Sequence, residues 1–204
     1  MAGDTKNAGS WSMADVLVGD LTAPTPAIGA QFDTTPEPTP GKWSFIGLLD
    51  GGQGFEEGRE SDSKKHFAWG SILVEETDSK YEEEKTFTAL EDNPVILSIV
   101  KPGSTFVKEG DVLKGTEIVP SKTKFKAAFV VRRGDGTMER RITKGYAQLS
   151  GWPTASQTED DLASRKVTVS IYPAFNSATG RWELWETHLG PALAVEGAPA
   201  PVTP

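Results

Sequence analysis

Apolar and polar positions alternate along much of the chain, and the alternation reads as a series of short strands. The cleanest stretch sets Val167, Val169 and Ile171 against Lys166, Thr168 and Ser170, the period-two pattern of a strand with one buried face. Phe125, Ala127, Phe129 and Val131 would share one face of another strand, with Lys124, Lys126 and Arg132 opposite. Gly134-Asp135-Gly136 then marks a hairpin turn into a strand over residues 138–149. Further strands are predicted over 14–21, 42–50, 67–76 and 85–90, and a turn through 176–180 leads to a last one over 181–187. Seven or so strands separated by turns predict a mainly β chain, a sandwich or barrel.

A single short helix, about 92–100, interrupts this pattern. Asn93 is a good N-cap and Pro94 suits the first helical position. Val95, Ile96, Ile99 and Val100 fall along one side, and Pro102-Gly103 ends the run. The helix is expected to pack on a sheet face, with Asn93, Pro94, Val95, Ile96 and Ile99 as its packing residues.

The organisation around these elements is read as one domain over 14–189. Residues 1–13, small and polar, form a flexible N-terminal arm, and the Ala/Pro-rich 190–204 form a C-terminal tail. Five prolines between 22 and 41 make an extended connector that can reach a neighbouring subunit. Residues 51–66 (GGQGFEEGRESDSKKH) carry no apolar pattern and read as a long charged loop. Its charges are Glu56, Glu57, Arg59, Glu60, Asp62, Lys64 and Lys65. Both signs are present, which suits ordering against a complementary partner.

Composition narrows the function. The chain has 204 residues, 37% hydrophobic and 25% charged, with 21 glycines and 14 prolines, enough to bury a core and rich in turn formers. No run approaches the roughly 18 apolar residues of a membrane span, so no membrane partner is expected. The N-terminus lacks a signal-peptide pattern, which predicts a chain made and kept in a cytoplasm. With no cysteine, disulfides, thiolate metal sites and a cysteine nucleophile are excluded. A net charge of −8 disfavours tight binding of a phosphate backbone.

The candidates for chemistry are thin. Gly51-Gly52-Gln53 matches a tripeptide used by peptide-release factors, but the basic surroundings are missing and a turn is the preferred reading. Ser61, Asp62 and His66 lie close in sequence without an evident scaffold or oxyanion hole. His66 and His188 are the only histidines, too few for a multi-histidine metal site. Glu75, Glu76, Asp78, Glu82, Glu83 and Glu84 lack the spacing of a calcium loop and read as a solvated hairpin tip or a protected edge. Trp43, Trp69, Trp182 and Trp185 fall in predicted strands, as core or interface anchors before sugar platforms. No catalytic residue, cofactor or metal is assigned, and no enzyme is expected.

A series of short motifs, in order, resembles the major tail proteins of long-tailed, siphovirus-like phages, and in particular those of actinobacterial phages. They are Val16-Leu-Val-Gly19, Trp43-Ser-Phe-Ile-Gly-Leu-Leu-Asp50, the charged stretch through Glu56-Glu-Gly-Arg59 and Asp62, Ala68-Trp-Gly70, Thr86-Phe-Thr-Ala-Leu-Glu-Asp-Asn-Pro-Val95 and Lys101-Pro-Gly-Ser104. The resemblance covers roughly residues 14–187 and implies a β-sandwich of the tail-tube type with a flanking helix. It implies a virion protein whose subunits form hexameric rings stacked into a tube for genome DNA, with the loop after the second strand ordering on stacking. It also implies tape measure, tail tip and terminator proteins as partners, and only transient passage of DNA. The very acidic stretch 75–84 has no counterpart in that pattern. The alternative reading is a β-sandwich carbohydrate-binding or adhesion module of a virion.

Overall fold

The computed structural model describes residues 11–69, 71–153, 155–156 and 164–191. The fold is a mainly β sandwich of two antiparallel sheets. The first contains β1 (Trp11–Gly19), β2 (Trp43–Phe45), β7 (Lys126–Arg133), β8 (Thr137–Thr143) and β14 (Trp185–Pro191), in the order β14-β8-β7-β1-β2. The second contains β3 (Glu56–Ala68), β4 (Ile72–Ala89), β10 (Ala155–Ser156) and β11 (Ser164–Tyr172), in the order β10-β11-β4-β3, and β9 (Tyr146–Leu149) also pairs with β11. Two small hairpins, β5 (Thr105–Glu109) with β6 (Val112–Thr116) and β12 (Ala174–Asn176) with β13 (Arg181–Glu183), stand beside the sheets.

Val16, Phe87, Phe129, Val167, Val169 and Ile171 fill the space between the sheets. The helix α1 (Pro94–Val100) adds Val95, Ile96, Leu97, Ile99 and Val100 to the same cluster. Asn93 caps it as expected: its side-chain oxygen accepts from the Val95 and Ile96 amides, both at 3.0 Å. The Asn93 Nδ2 also donates to the Ile46 carbonyl at 2.6 Å, which fixes the helix start against the chain leaving β2.

One chain segment passes from sheet to sheet. After β8, Lys144-Gly145 redirects the backbone so that β9 joins β11 instead of β7. A Cβ on Gly145 would lie 2.3 Å from the Tyr172 carbonyl oxygen, so only glycine fits this crossing. The sheets remain joined there, because Phe125 and Ala147 exchange backbone hydrogen bonds of 3.0 and 2.7 Å. Such corners are where strands change sheets in a sandwich.

The connector over 22–41 departs from expectation. It does not reach outward but lies on the outer face of the first sheet, over a second apolar cluster of Leu17, Ala23, Trp43, Ala128, Val130, Met138 and Ile142. The Trp43 indole N–H donates to the Pro24 carbonyl at 2.8 Å, and Phe32 packs edge-on to Trp43 at 5.1 Å. β7 is therefore buried on both faces, which explains why Ala128 and Val130 interrupt its polar side. Boundaries also shift: β1 starts at Trp11, inside the expected arm, and β14 extends to Pro191. The remainder of the arm (1–10) and of the tail (192–204) lies outside the described residues.

The largest correction concerns residues 51–66. Residues 51–53 make a turn, but 56–68 are a strand rather than a loop. They pair with β4 from Glu56↔Thr86 to Ala68↔Ile72. Backbone pairing with β4 supplies the order that the side-chain pattern conceals, because every residue of β3 is exposed and no apolar period can mark it. The expected strand over 67–76 is accordingly the end of this hairpin, with Trp69 and Ser71 in turn conformation between its strands, and the acidic stretch 75–84 lies along β4 rather than at a tip.

Candidate functional site

The β3–β4 hairpin is the most distinctive feature of the surface. Only the last part of β4, Glu83–Ala89, pairs with β11. Beyond Glu82 the two strands have only each other among the described residues, and they project roughly 25 Å at about 3.3 Å per residue. The far edge of β3 has no strand partner among the described residues. Unpaired edges of this length are templates for another strand.

Two register shifts divide the arm, between Glu60 and Asp62 and between His66 and Phe67. At the first, Lys80 adopts a left-handed backbone with φ 56°, a conformation uncommon for a side chain other than glycine. Ion pairs along the shaft are exposed: Lys80 with Asp62 at 3.2 Å and Lys65 with Glu76 at 3.9 Å. Each contributes at most about 1 kcal/mol. The end of the arm is apolar. Phe67, Trp69, Ile72, Leu73 and Val74 are all exposed, Trp69 completely.

The base of the arm is clamped to the body by buried charge. Glu83, 2% exposed, accepts hydrogen bonds from Tyr81 Oη at 2.7 Å, Arg141 Nη2 at 3.1 Å and Trp185 Nε1 at 2.6 Å. Glu57 accepts from Lys85 and Arg141 and also pairs with Arg59. Burial alone would raise the Glu57 carboxyl, but the hydrogen bonds from Lys85 and Arg141 outweigh it and hold its pKa at about 2. Lys85 is pushed below its ordinary value by burial, against the pull of Glu57. Phe129 sits under this network, with Phe55, Phe87 and Trp185 edge-on around it. Two carboxylates and three cations thus satisfy one another where isolated charges would be costly.

The seven charged residues expected to act together separate into three groups. Glu57 and Arg59 belong to the clamp at the base, whereas Asp62, Lys64 and Lys65 stand along the exposed shaft. Glu56 and Glu60 turn to the outer face of the second sheet, where Glu56 pairs with Lys166 at 3.0 Å. That face also carries Glu82 and Glu84, with Glu82 directly opposite Glu60. Thr86, Thr168 and Ser170 lie among them, and the two threonine hydroxyls are 2.8 Å apart. Asn93, Pro94, Val95, Ile96 and Ile99 come together as the helix start and its buried side.

The other candidates do not converge. Ser61, Asp62 and His66 are strung along one strand, with roughly 16 Å from first to last. Gly51 and Gly52 follow Asp50, whose side chain accepts from the Gly52 amide at 2.8 Å, and Gln53 accepts from Thr88 at 3.2 Å. Successive carboxylates of β4 point to opposite faces, and no group of three or more potential metal ligands is gathered among the described residues. No helix among the described residues is long and apolar enough to cross a membrane. Sequence reasoning missed the apolar tip because residues 67–76 read as an ordinary apolar strand; the polar flanks, Lys64–His66 and Glu75–Glu76, were the available signal. No family model matches the chain, and no curated protein is found to match it.

Proposed function

We propose that this chain is a structural subunit of a phage tail tube, which associates with its own copies into stacked hexameric rings around a channel for DNA. The observation that carries the reading is the β3–β4 arm: a projecting hairpin with an open strand edge and an exposed apolar tip, rigidly based in the body. Among the described residues such an element has no partner for its open edge, and an apolar tip on a charged shaft marks a contact surface. Strand edges that are hazards in a monomer become intersubunit pairings in a closed ring. The carboxylate-rich outer face of the second sheet suits a channel wall, since it would repel a phosphate backbone and let DNA slide. The sequence resemblance to major tail proteins supports the same assignment, and no enzymatic role is part of it.

The test is assembly. Purified chain at high concentration, viewed by negative-stain electron microscopy and sized by sedimentation, is expected to form rings or tubes. Trp69→Ser with Leu73→Ser should leave the monomer folded and reduce these assemblies. A chain that stays monomeric at every concentration, even when seeded, would refute the proposal.

One observation favours the second reading, a carbohydrate-binding module. Phe175 and Trp182 lie opposite each other on the β12–β13 hairpin, both exposed, with ring centres 5.2 Å apart. An exposed aromatic pair can stack on a sugar ring. Glycan binding by the monomer that is lost in Trp182→Ala would favour this reading over the first.

A further inference from the structure

The outer face of the first sheet holds buried positive charge that no carboxylate among the described residues pairs with. A cavity of about 220 Å³ lies between β1, β7, β8 and the connector, and its lining includes Asp15, Gln31, Phe32, Arg132, Met138 and Arg140. The register sets Arg140 opposite Val130 and Arg132 opposite Met138, so the two arginines are diagonal neighbours on one face. Arg140 is only 7% exposed. Its Nη1 donates to the Ala30 carbonyl at 2.5 Å, its Nε to the Met138 sulfur at 3.1 Å, and its guanidinium lies 5.4 Å from the Phe32 ring centre. The Arg132 Nε is buried without a hydrogen-bond partner. Among the described residues, neither guanidinium has a carboxylate within ion-pair distance.

A buried guanidinium with only neutral acceptors is costly, and a second one beside it adds repulsion. Burial first and Arg132 second push the Arg140 pKa below its ordinary value. Among the described residues Asp15 is the one carboxyl in the lining, and burial raises its pKa in spite of Arg132. It is a poor counter-ion. The planar fork of arginine matches carboxylate and phosphate geometry.

We propose that this cavity is an oxyanion-binding site, in which Arg132 and Arg140 grip a phosphate- or carboxylate-sized group. The occupant is either a free anion or the carboxylate of a side chain from a second copy. Both sources present the same chemistry to the same two residues.

The test titrates inorganic phosphate into the full chain by calorimetry at constant ionic strength, first dilute and then at concentrations where sedimentation shows association. Saturable binding to the dilute chain is expected. Arg132→Gln or Arg140→Gln should weaken it about tenfold or more, the effect of losing one charge-assisted contact. Arg140→Lys, which keeps charge and loses the fork, covers the case in which the glutamine variant misfolds, and should also weaken binding. Asp15→Asn should tighten it. Binding that persists on association identifies a free anion as the occupant, and binding lost on association identifies a carboxylate of a second copy. No saturable binding to the dilute chain below about 10 mM phosphate, or affinity unchanged in the arginine variants, overturns the site. The dilute-chain readouts come from single chains, so the site stands or falls on them whether or not tubes form.

Discussion

The indole N–H of Trp185 donates a 2.6 Å hydrogen bond to Glu83 Oε1, so a tryptophan of one sheet satisfies a carboxylate buried in the other. The bond crosses the sandwich at the point where the arm leaves it. Arg141 reinforces it, with its guanidinium 4.7 Å from the Trp185 ring and donating to both Glu83 and Glu57. Trp185→Phe keeps the packing and removes one donor, and should cost about 1–2 kcal/mol by urea unfolding. Arg141→Met leaves two carboxylates under-compensated and should cost more, about 3 kcal/mol. An unchanged unfolding midpoint for Arg141→Met would show that the clamp adds nothing to stability.

Acid should loosen the same clamp. The folded-state pKa of Glu57, about 2, lies below its ordinary 4.5, so folding favours the carboxylate. Its contribution is complete above about pH 4.5 and is lost as the pH falls through that value toward about 2. Glu57→Gln should therefore flatten the decline in stability across this window relative to the native chain. Parallel curves of stability against pH for the two proteins would contradict the assignment.

The helix start offers an independent check. Asn93→Ala removes two cap hydrogen bonds and the bond to Ile46, and should cost about 1–2 kcal/mol in chemical unfolding. Gly47→Ala attacks the same junction from the other side. Gly47 has φ 103°, and a Cβ there would lie 2.7 Å from Asn93 Nδ2. Both variants should lower the melting temperature, and neither should alter the arm.

At the arm itself, stability and association should separate. Lys64→Glu with Lys65→Glu changes exposed shaft charges, while Trp69→Ser changes a fully exposed tip. All three substitutions are expected to leave the unfolding midpoint within about 0.5 kcal/mol of native, as is usual for surface positions. The tip variant should reduce association more than the charge variant, because apolar anchors outweigh exposed ion pairs. The reverse order, seen by sedimentation, would place the contact on the shaft instead.

The legible part of this fold was the part with one wet face. Val167, Val169 and Ile171 alternate with polar residues because only one side of β11 meets the core, and the pattern reads directly. Asn93-Pro94 announces a helix through local capping chemistry alone. Two situations hid the rest. β3 is exposed on both faces and carries no hydrophobic period, so only its pairing with β4 makes it a strand. β7 is buried on both faces because a proline-rich connector without strands covers one of them, which a period-two reading of Phe125 to Val131 does not register. The clamp was partly visible as the charges Glu57 and Arg59, but Lys85, Arg141 and Trp185 come from distant strands and join only in the folded chain.

The connector also fixes when the protein is able to fold. β1 is made early, yet its pairing runs from Gly19↔Lys126 to Met13↔Arg132, and the connector rests on Ala128, Val130, Met138 and Ile142. Until the ribosome has delivered those residues, β1 has only the three-residue β2 beside it, and the connector has no sheet face to cover. Loop closure over that span precedes most of the gain in contacts, so folding is expected to be slow and to wait until β7 and β8 have been made. During that interval Leu17 and Trp43 stand in water, and a nascent chain stalled before residue 126 should be a substrate for chaperones and proteases.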